Sequence, residues 1–181
     1  VTYNHCQGRK MKMQVVKGLF LYLFALSVML SGAATTAHAW PAEVISVGDG
    51  DSLKVMRDKR IVKIRLYGID SPEMEQAHGR ASRHIARQRL QGRMVEVQEM
   101  YRDNYGRTVA LVWSEDTLIN AELVRVGSAW LYPRFCRAKE LCEPMARLQE
   151  EARQARLGLW QDEHAEPPWK WKRRHPQAKR R

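Results

Sequence analysis

Between residues 43 and 113 the chain repeatedly alternates apolar and polar positions with a period of two, the mark of strands with one buried face. Residues 43–47 are the first such run, with Val44 and Ile45 apolar and Gly48 ending it. In 52–57, Leu53 and Val55 share a face opposite Lys54, and in 61–66, Ile64 and Leu66 lie opposite Arg65. Asp58-Lys59 predicts a hairpin turn between them, without the usual glycine. Residues 94–100 and 108–113 are strand-like again, and Asn104-Tyr105-Gly106 supplies good turn chemistry between them. The period becomes helical over 79–90, where Ala81, Ile85, Ala86 and Leu90 recur and Gly92 stops the pattern. Helices are also predicted at 120–126, closed by Gly127, and at 145–157, closed by Gly158. In the last of these Met145, Leu148, Ala152 and Ala155 share a face and Pro144 suits the first helical position.

Three strands, a helix, two strands and then helices is the element order of an OB-fold, an α+β class built on a small Greek-key barrel, although other α+β folds share it. Ahead of the first strand, Lys12 and Lys17 precede a largely apolar run over 19–30, then small residues and Ala37-His38-Ala39. This is the layout of a secretory signal peptide cleaved after Ala39, with an uncleaved anchor as the competing reading. The run falls short of the ~20 residues a span needs. A signal peptide would begin at Met11 or Met13, and the residues before Met11 read as translation from an early start codon. The expectation is an exported protein, periplasmic or secreted, with one folded domain at 40–162 and a tail at 163–181.

Charge and cysteines take on meaning once the leader is set aside. The chain carries 31 Lys and Arg against 20 Asp and Glu, and four of those cations belong to residues 1–39. Of the remaining +7, the tail contributes +5 through seven Lys or Arg against two Glu. The basic pI therefore says little about the domain. The tail mixes Trp169 and Trp171 with cations and reads as a disordered, solvated segment, or alternatively as one that holds phosphate backbones or an anionic surface. Cys136 and Cys142 remain as a pair, which an oxidising compartment turns into a disulfide, free thiols being the alternative.

The chemistry concentrates at 49–73. Gly50 between two aspartates predicts a turn at positive φ, and Pro72 holds Asp70-Ser71-Pro72-Glu73 in a loop. A hairpin between the two loops brings Asp51 and Asp70 close together. Two carboxylates at 4 Å repel by about 4 kcal/mol at an effective dielectric near 20, and a hard divalent cation turns that penalty into attraction. Asp51, Asp70 and a Ser71 carbonyl suit calcium, whereas the His and Cys ligands of zinc are missing. Taken singly, the two acidic motifs are ordinary surface and helix-entry turns; their joint appearance around Arg65 favours a metal-assisted phosphodiesterase. Arg107 is either a solvated charge beside its turn or a second cation aimed at the same pocket.

These motifs, DGDS at 49–52, Arg65 within IRL, DSPE at 70–73, DNYGR at 103–107, NAELVRVG at 120–127 and the closing GLW, together resemble the staphylococcal nuclease (thermonuclease) family over about 44–160. The resemblance implies a five-stranded OB-fold β-barrel with three α-helices, and a calcium-dependent endonuclease acting on DNA and RNA that leaves 3′-phosphate ends. By position it implies calcium carboxylates at Asp51 and Asp70, a carbonyl ligand at Ser71, a general base at Glu73 and phosphate-binding arginines at Arg65 and Arg107. It further implies a nucleotide contact at Tyr105 and, in looser register, an aromatic wall at Tyr132 and Trp130. The chain departs from the type member in having serine for threonine at 52 and 71, Asn104 for a lysine, a shorter loop after Glu73 and an insertion at 136–142. A monomer is expected. The rival from another class is a non-hydrolytic single-stranded nucleic-acid-binding OB module, which would need none of the acid cluster.

Overall fold

The computed structural model describes residues 39–176, so the predicted signal peptide, apart from its last residue Ala39, lies outside the described residues. The strands are β1 (Ala39–Val47), β2 (Ser52–Arg57), β3 (Arg60–Leu66), β4 (Ile69–Asp70), β5 (Met94–Arg102), β6 (Thr108–Ser114), β7 (Thr117–Leu118) and β8 (Trp130–Leu131). The helices are α1 (Gly79–Leu90), α2 (Ile119–Arg125), α3 (Lys139–Gln154) and α4 (Pro168–Arg174), with a 3₁₀ turn at Gly158–Gln161.

Strands β3-β2-β1-β5-β6 pair antiparallel in that order, and β6 then pairs parallel with β3 through Ile64↔Thr108 and Leu66↔Ala110. That last ladder closes a five-stranded mixed barrel of the OB type and removes the sheet edges. β1 makes closure possible by changing partner along its length. Ala39 to Glu43 pair with β5, Glu43 to Val47 pair with β2, and the register shifts between Val44 and Ser46. Pro41 sits in the half that has no β2 neighbour, where a missing N–H costs no ladder bond. The inward residues Val44, Val55, Ile64, Val97 and Val112 are fully buried and form the barrel core.

The α+β barrel expected from the element order is present, with four helices among the described residues rather than three. Asp58 and Lys59 turn the β2–β3 hairpin with φ of 47° and 61°, the left-handed pair of a two-residue turn. The predicted start of the third helix is corrected. α3 begins at Lys139, six residues before Met145, and Pro144 lies inside it rather than at its first position. The first turn of α3 is tied down from outside. Cys142 is bonded to Cys136, and the buried Tyr67 hydroxyl accepts from the Arg137 and Ala138 amides at 2.8 and 3.0 Å.

The tail is also corrected as far as it is described. Residues 168–174 form α4, with Pro168 buried, instead of a solvated segment. Trp169 packs on a small cluster of Trp130, Ala152, Leu159 and Trp160, separate from the barrel core. Burial of an aromatic ring there outweighs the polar composition that pointed to disorder.

Candidate active site

The β2–β3 hairpin sets Ser52 opposite Arg65, so the loop before β2 lies alongside the end of β3. The Leu66 amide donates to the Asp51 carbonyl at 2.9 Å, and the Ser71 amide to Asp51 Oδ2 at 2.5 Å. Asp51 and Asp70, nineteen residues apart in sequence, are thereby joined through one guanidinium: Arg65 meets Asp51 Oδ1 and Asp70 Oδ1 at 2.7 Å each. Both aspartates are nearly inaccessible, 3% and 1% exposed. Gly50 is required for a different reason from the predicted one. It is not among the positive-φ glycines, but a Cβ there would collide with the Ser71 side chain. Gly79 at the start of α1 likewise lets the Glu73 carbonyl approach the helix.

These groups lie in a cavity of about 420 Å³ whose lining includes Asp49, Asp51, Arg65, Asp70, Glu73 and Arg107. Arg107 therefore faces the same space as Arg65. Asp103 presents it, accepting from the Arg107 amide at 2.9 Å and from its Nε and a terminal nitrogen at 2.8 Å each. Partial burial works against the Asp103 charge, but the Arg107 amide and guanidinium outweigh it and hold the carboxyl below its usual range. Tyr105, 84% exposed at the same turn, lines the cavity with the Arg107 guanidinium 5.5 Å from its ring centre.

The charge balance within the cavity bears on whether a cation fits. Asp49, Asp51, Asp70, Glu73 and Asp103 line it against Arg65, Arg107 and Lys172, five carboxylates to three cations. Burial pushes the Asp51 carboxyl well above its usual range; Arg65 pulls it back, and the Asp49 and Asp70 charges push it up again. Negative charge that the resident arginines do not cancel, presented on hard oxygen donors, suits a divalent ion such as calcium. Among the described residues no group of three or more His, Cys, Asp or Glu could hold a metal by itself, so protein side chains alone do not complete a shell.

The family model described as staphylococcal nuclease homologue matches residues 63–162, more than half of the chain. The chain belongs to the staphylococcal nuclease family. It is 39% identical over 158 residues to Protein ParB of Escherichia coli, covering 82% of this chain and 88% of that protein. It is 38% identical over 144 residues to an uncharacterized endonuclease of Escherichia coli O157:H7, covering 75% and 92%. It is 36% identical over 158 residues to a micrococcal nuclease of Shigella flexneri, covering 82% and 90%. Membership makes the chain a nuclease, a phosphodiester hydrolase acting on nucleic acid, and sets aside the non-hydrolytic binding module.

In this staphylococcal-nuclease chain the predicted aromatic wall divides. Tyr132 lines the cavity, but Trp130 does not. Trp130 is buried against Trp160 and Trp169, with ring centres 4.3 and 5.9 Å away, and serves packing. The two share strand parity, yet β8 ends at Leu131 and the Tyr132 amide turns to the Gly68 carbonyl at 2.8 Å, so alternation no longer applies. Lys172 and Trp169 were absent from the predicted site. Lys172 Nζ lies 3.0 Å from Asp70 Oδ1 and 2.8 Å from Glu73 Oε1, and Trp169 stacks on Tyr132. Their only sequence signal is indoles interleaved with cations near the chain end, which does not say where the segment docks.

Proposed function

We propose that the protein is a calcium-dependent endonuclease that cleaves DNA and RNA and leaves 3′-phosphate ends. One observation carries this reading: Arg65 clamps Asp51 and Asp70 together in a cavity that Glu73 and Arg107 also line. Asp51 and Asp70, with the Ser71 carbonyl, would hold the ion. When bound, calcium supplies positive charge and Lewis-acid polarisation at a phosphate oxygen. Arg65 and Arg107 bind phosphate oxygens through planar donors that never deprotonate. Glu73 orients the attacking water or takes its proton, help worth about 10²–10⁴-fold, and preorganised charge provides most of the rest. Attack in line with the 5′ oxygen forms the new P–O bond as the P–O5′ bond breaks, so the phosphate stays on the 3′ end. Tyr105 and Tyr132 offer ring faces to the nucleotide. Export to the periplasm or the medium is part of the same reading, supported by the Cys136–Cys142 bond, which persists in oxidising compartments.

The test is incubation of the purified protein with single-stranded DNA and with RNA, in calcium and then in chelator, followed by end-group analysis. Calcium-dependent cleavage to 3′-phosphate ends is expected for both. Cleavage undiminished by chelator removes the ion, and 5′-phosphate ends remove the assignment of the broken bond.

A further inference from the structure

We propose that α4 is an intramolecular occupant of the catalytic cleft: Lys172 takes the place of the divalent ion while Trp169 covers Tyr132, so the ion binds only as α4 withdraws. The inference rests on the cation site proposed above. It starts from the position of one ammonium group. Lys172 Nζ sits 3.0 and 3.4 Å from the two oxygens of Asp70 and 2.8 Å from Glu73 Oε1, although 102 residues separate it from Asp70. A group with three donors and a single compact charge, set between Asp70, one of the proposed ion ligands, and Glu73, competes with a bound cation for the Asp70 carboxylate.

The second half of the contact concerns the nucleotide wall. Trp169 lies parallel to Tyr132, with ring centres 4.6 Å apart and planes within 4°. A base stacking on that face of Tyr132 would need the same space. Both contacts come from one seven-residue helix. Isolated helices that short are not stable in water, so α4 persists through its docking and loses both contacts together when it leaves. The side chains of Lys172 and Glu73 are 26% and 28% exposed, so solvent and ions reach this pair more readily than the Arg65 clamp, whose side chain is 14% exposed. α4 also lies beyond residue 162, where the match to the family model ends. The device therefore belongs to this chain's C-terminal segment rather than to the matched domain.

A competitor tethered in the site raises the apparent dissociation constant of the ion by the inverse of the undocked fraction. If α4 is withdrawn about one-tenth of the time, the factor is about tenfold. Calcium binding to the full chain is measured by titration calorimetry without substrate, for the parent, Lys172→Met and Lys170→Met. Methionine keeps the apolar stem, and Lys170→Met removes an exposed charge from the same helix as a control. Lys172→Met is expected to bind calcium about tenfold more tightly than the parent, and Lys170→Met with the parent's affinity. In a second readout, acylation of the Lys172 amine, followed by peptide mass spectrometry, is expected to accelerate in saturating calcium. Equal calcium affinity in the parent and Lys172→Met overturns the inference, as does an equal gain in Lys170→Met or a Lys172 labelling rate indifferent to calcium. If calcium-dependent cleavage persists alongside any of these results, the proposed function stands and only the plug is lost. Absence of calcium binding and of cleavage in every variant overturns both.

Discussion

Arg65 satisfies two buried carboxylates at once, so its removal is not a clean test of catalysis. Arg65→Ala would leave the buried Asp51 without its cation and Asp70 with Lys172 alone, a loss on the order of 3–5 kcal/mol for a buried pair. Glu73 is the better probe because its side chain is partly exposed and its partner Lys172 comes from a peripheral helix. Glu73→Gln is expected to slow single-turnover cleavage by about 10²–10⁴-fold with the unfolding midpoint near the parent's; a loss of only a few fold removes its role as base. Asn120 makes a purely structural counterpart. It is fully buried, accepts from the Val112 amide at 3.0 Å and donates to the Tyr67 and Ala110 carbonyls at 3.0 and 3.1 Å. Asn120→Ala strands these groups and is expected to lower stability by about 2–4 kcal/mol in urea unfolding. Arg107 was placed only by the family resemblance, whereas the positions of Asp51, Arg65, Asp70 and Glu73 around one cavity were legible in the sequence because turn residues and strand alternation constrain where such side chains can point. Trp130 and Tyr132 were not, because their separation depends on where a two-residue strand stops.

The elements followed the same division. Local patterning located the barrel strands and α1, since alternation and helical periodicity depend on neighbours along the chain. The β2–β3 turn is a case in which sequence chemistry and structure pull apart. Lys59 holds φ of 61° in a position that favours glycine. Lys59→Gly is expected to stabilise the protein by roughly 0.5–1 kcal/mol, after the extra chain entropy of glycine is deducted, and thermal unfolding at neutral pH reads it. A destabilised variant would mean that Lys59 makes a compensating contact. α3 was misplaced at its start because the amides leading into its first turn are held by the Tyr67 hydroxyl, which comes from a distant part of the sequence. α4 was missed because a short, charged helix declares itself only through what it docks against.

At the scale of the whole molecule, Glu122 joins α2 to α1. Its carboxylate meets Arg125 at 2.6 Å within α2 and Arg89 of α1 at 2.8 Å. The Arg125 hydrogen bonds, opposed by partial burial and aided by the Arg89 charge, hold its pKa below the usual glutamate value of 4.5. A carboxylate with a depressed folded-state pKa contributes stability that is complete above its unfolded pKa. That contribution fades as the pH drops past 4.5 and on through the lower folded value. Glu122→Gln is therefore expected to flatten the acid limb of a stability–pH curve measured by urea unfolding, and an unchanged slope would remove this group from the acid transition. By itself the sequence determined the five barrel strands, α1, the family and the identities of the charged groups, since each is written in neighbouring residues or in an ordered set of short motifs. Only the tertiary structure decided that one guanidinium bridges the two aspartates, that Trp130 packs against Trp160 and Trp169 while Tyr132 lines the cavity, and that Lys172 enters the acid cluster. Those outcomes depend on ring closure and docking between residues far apart in the chain, and no local pattern encodes such distances.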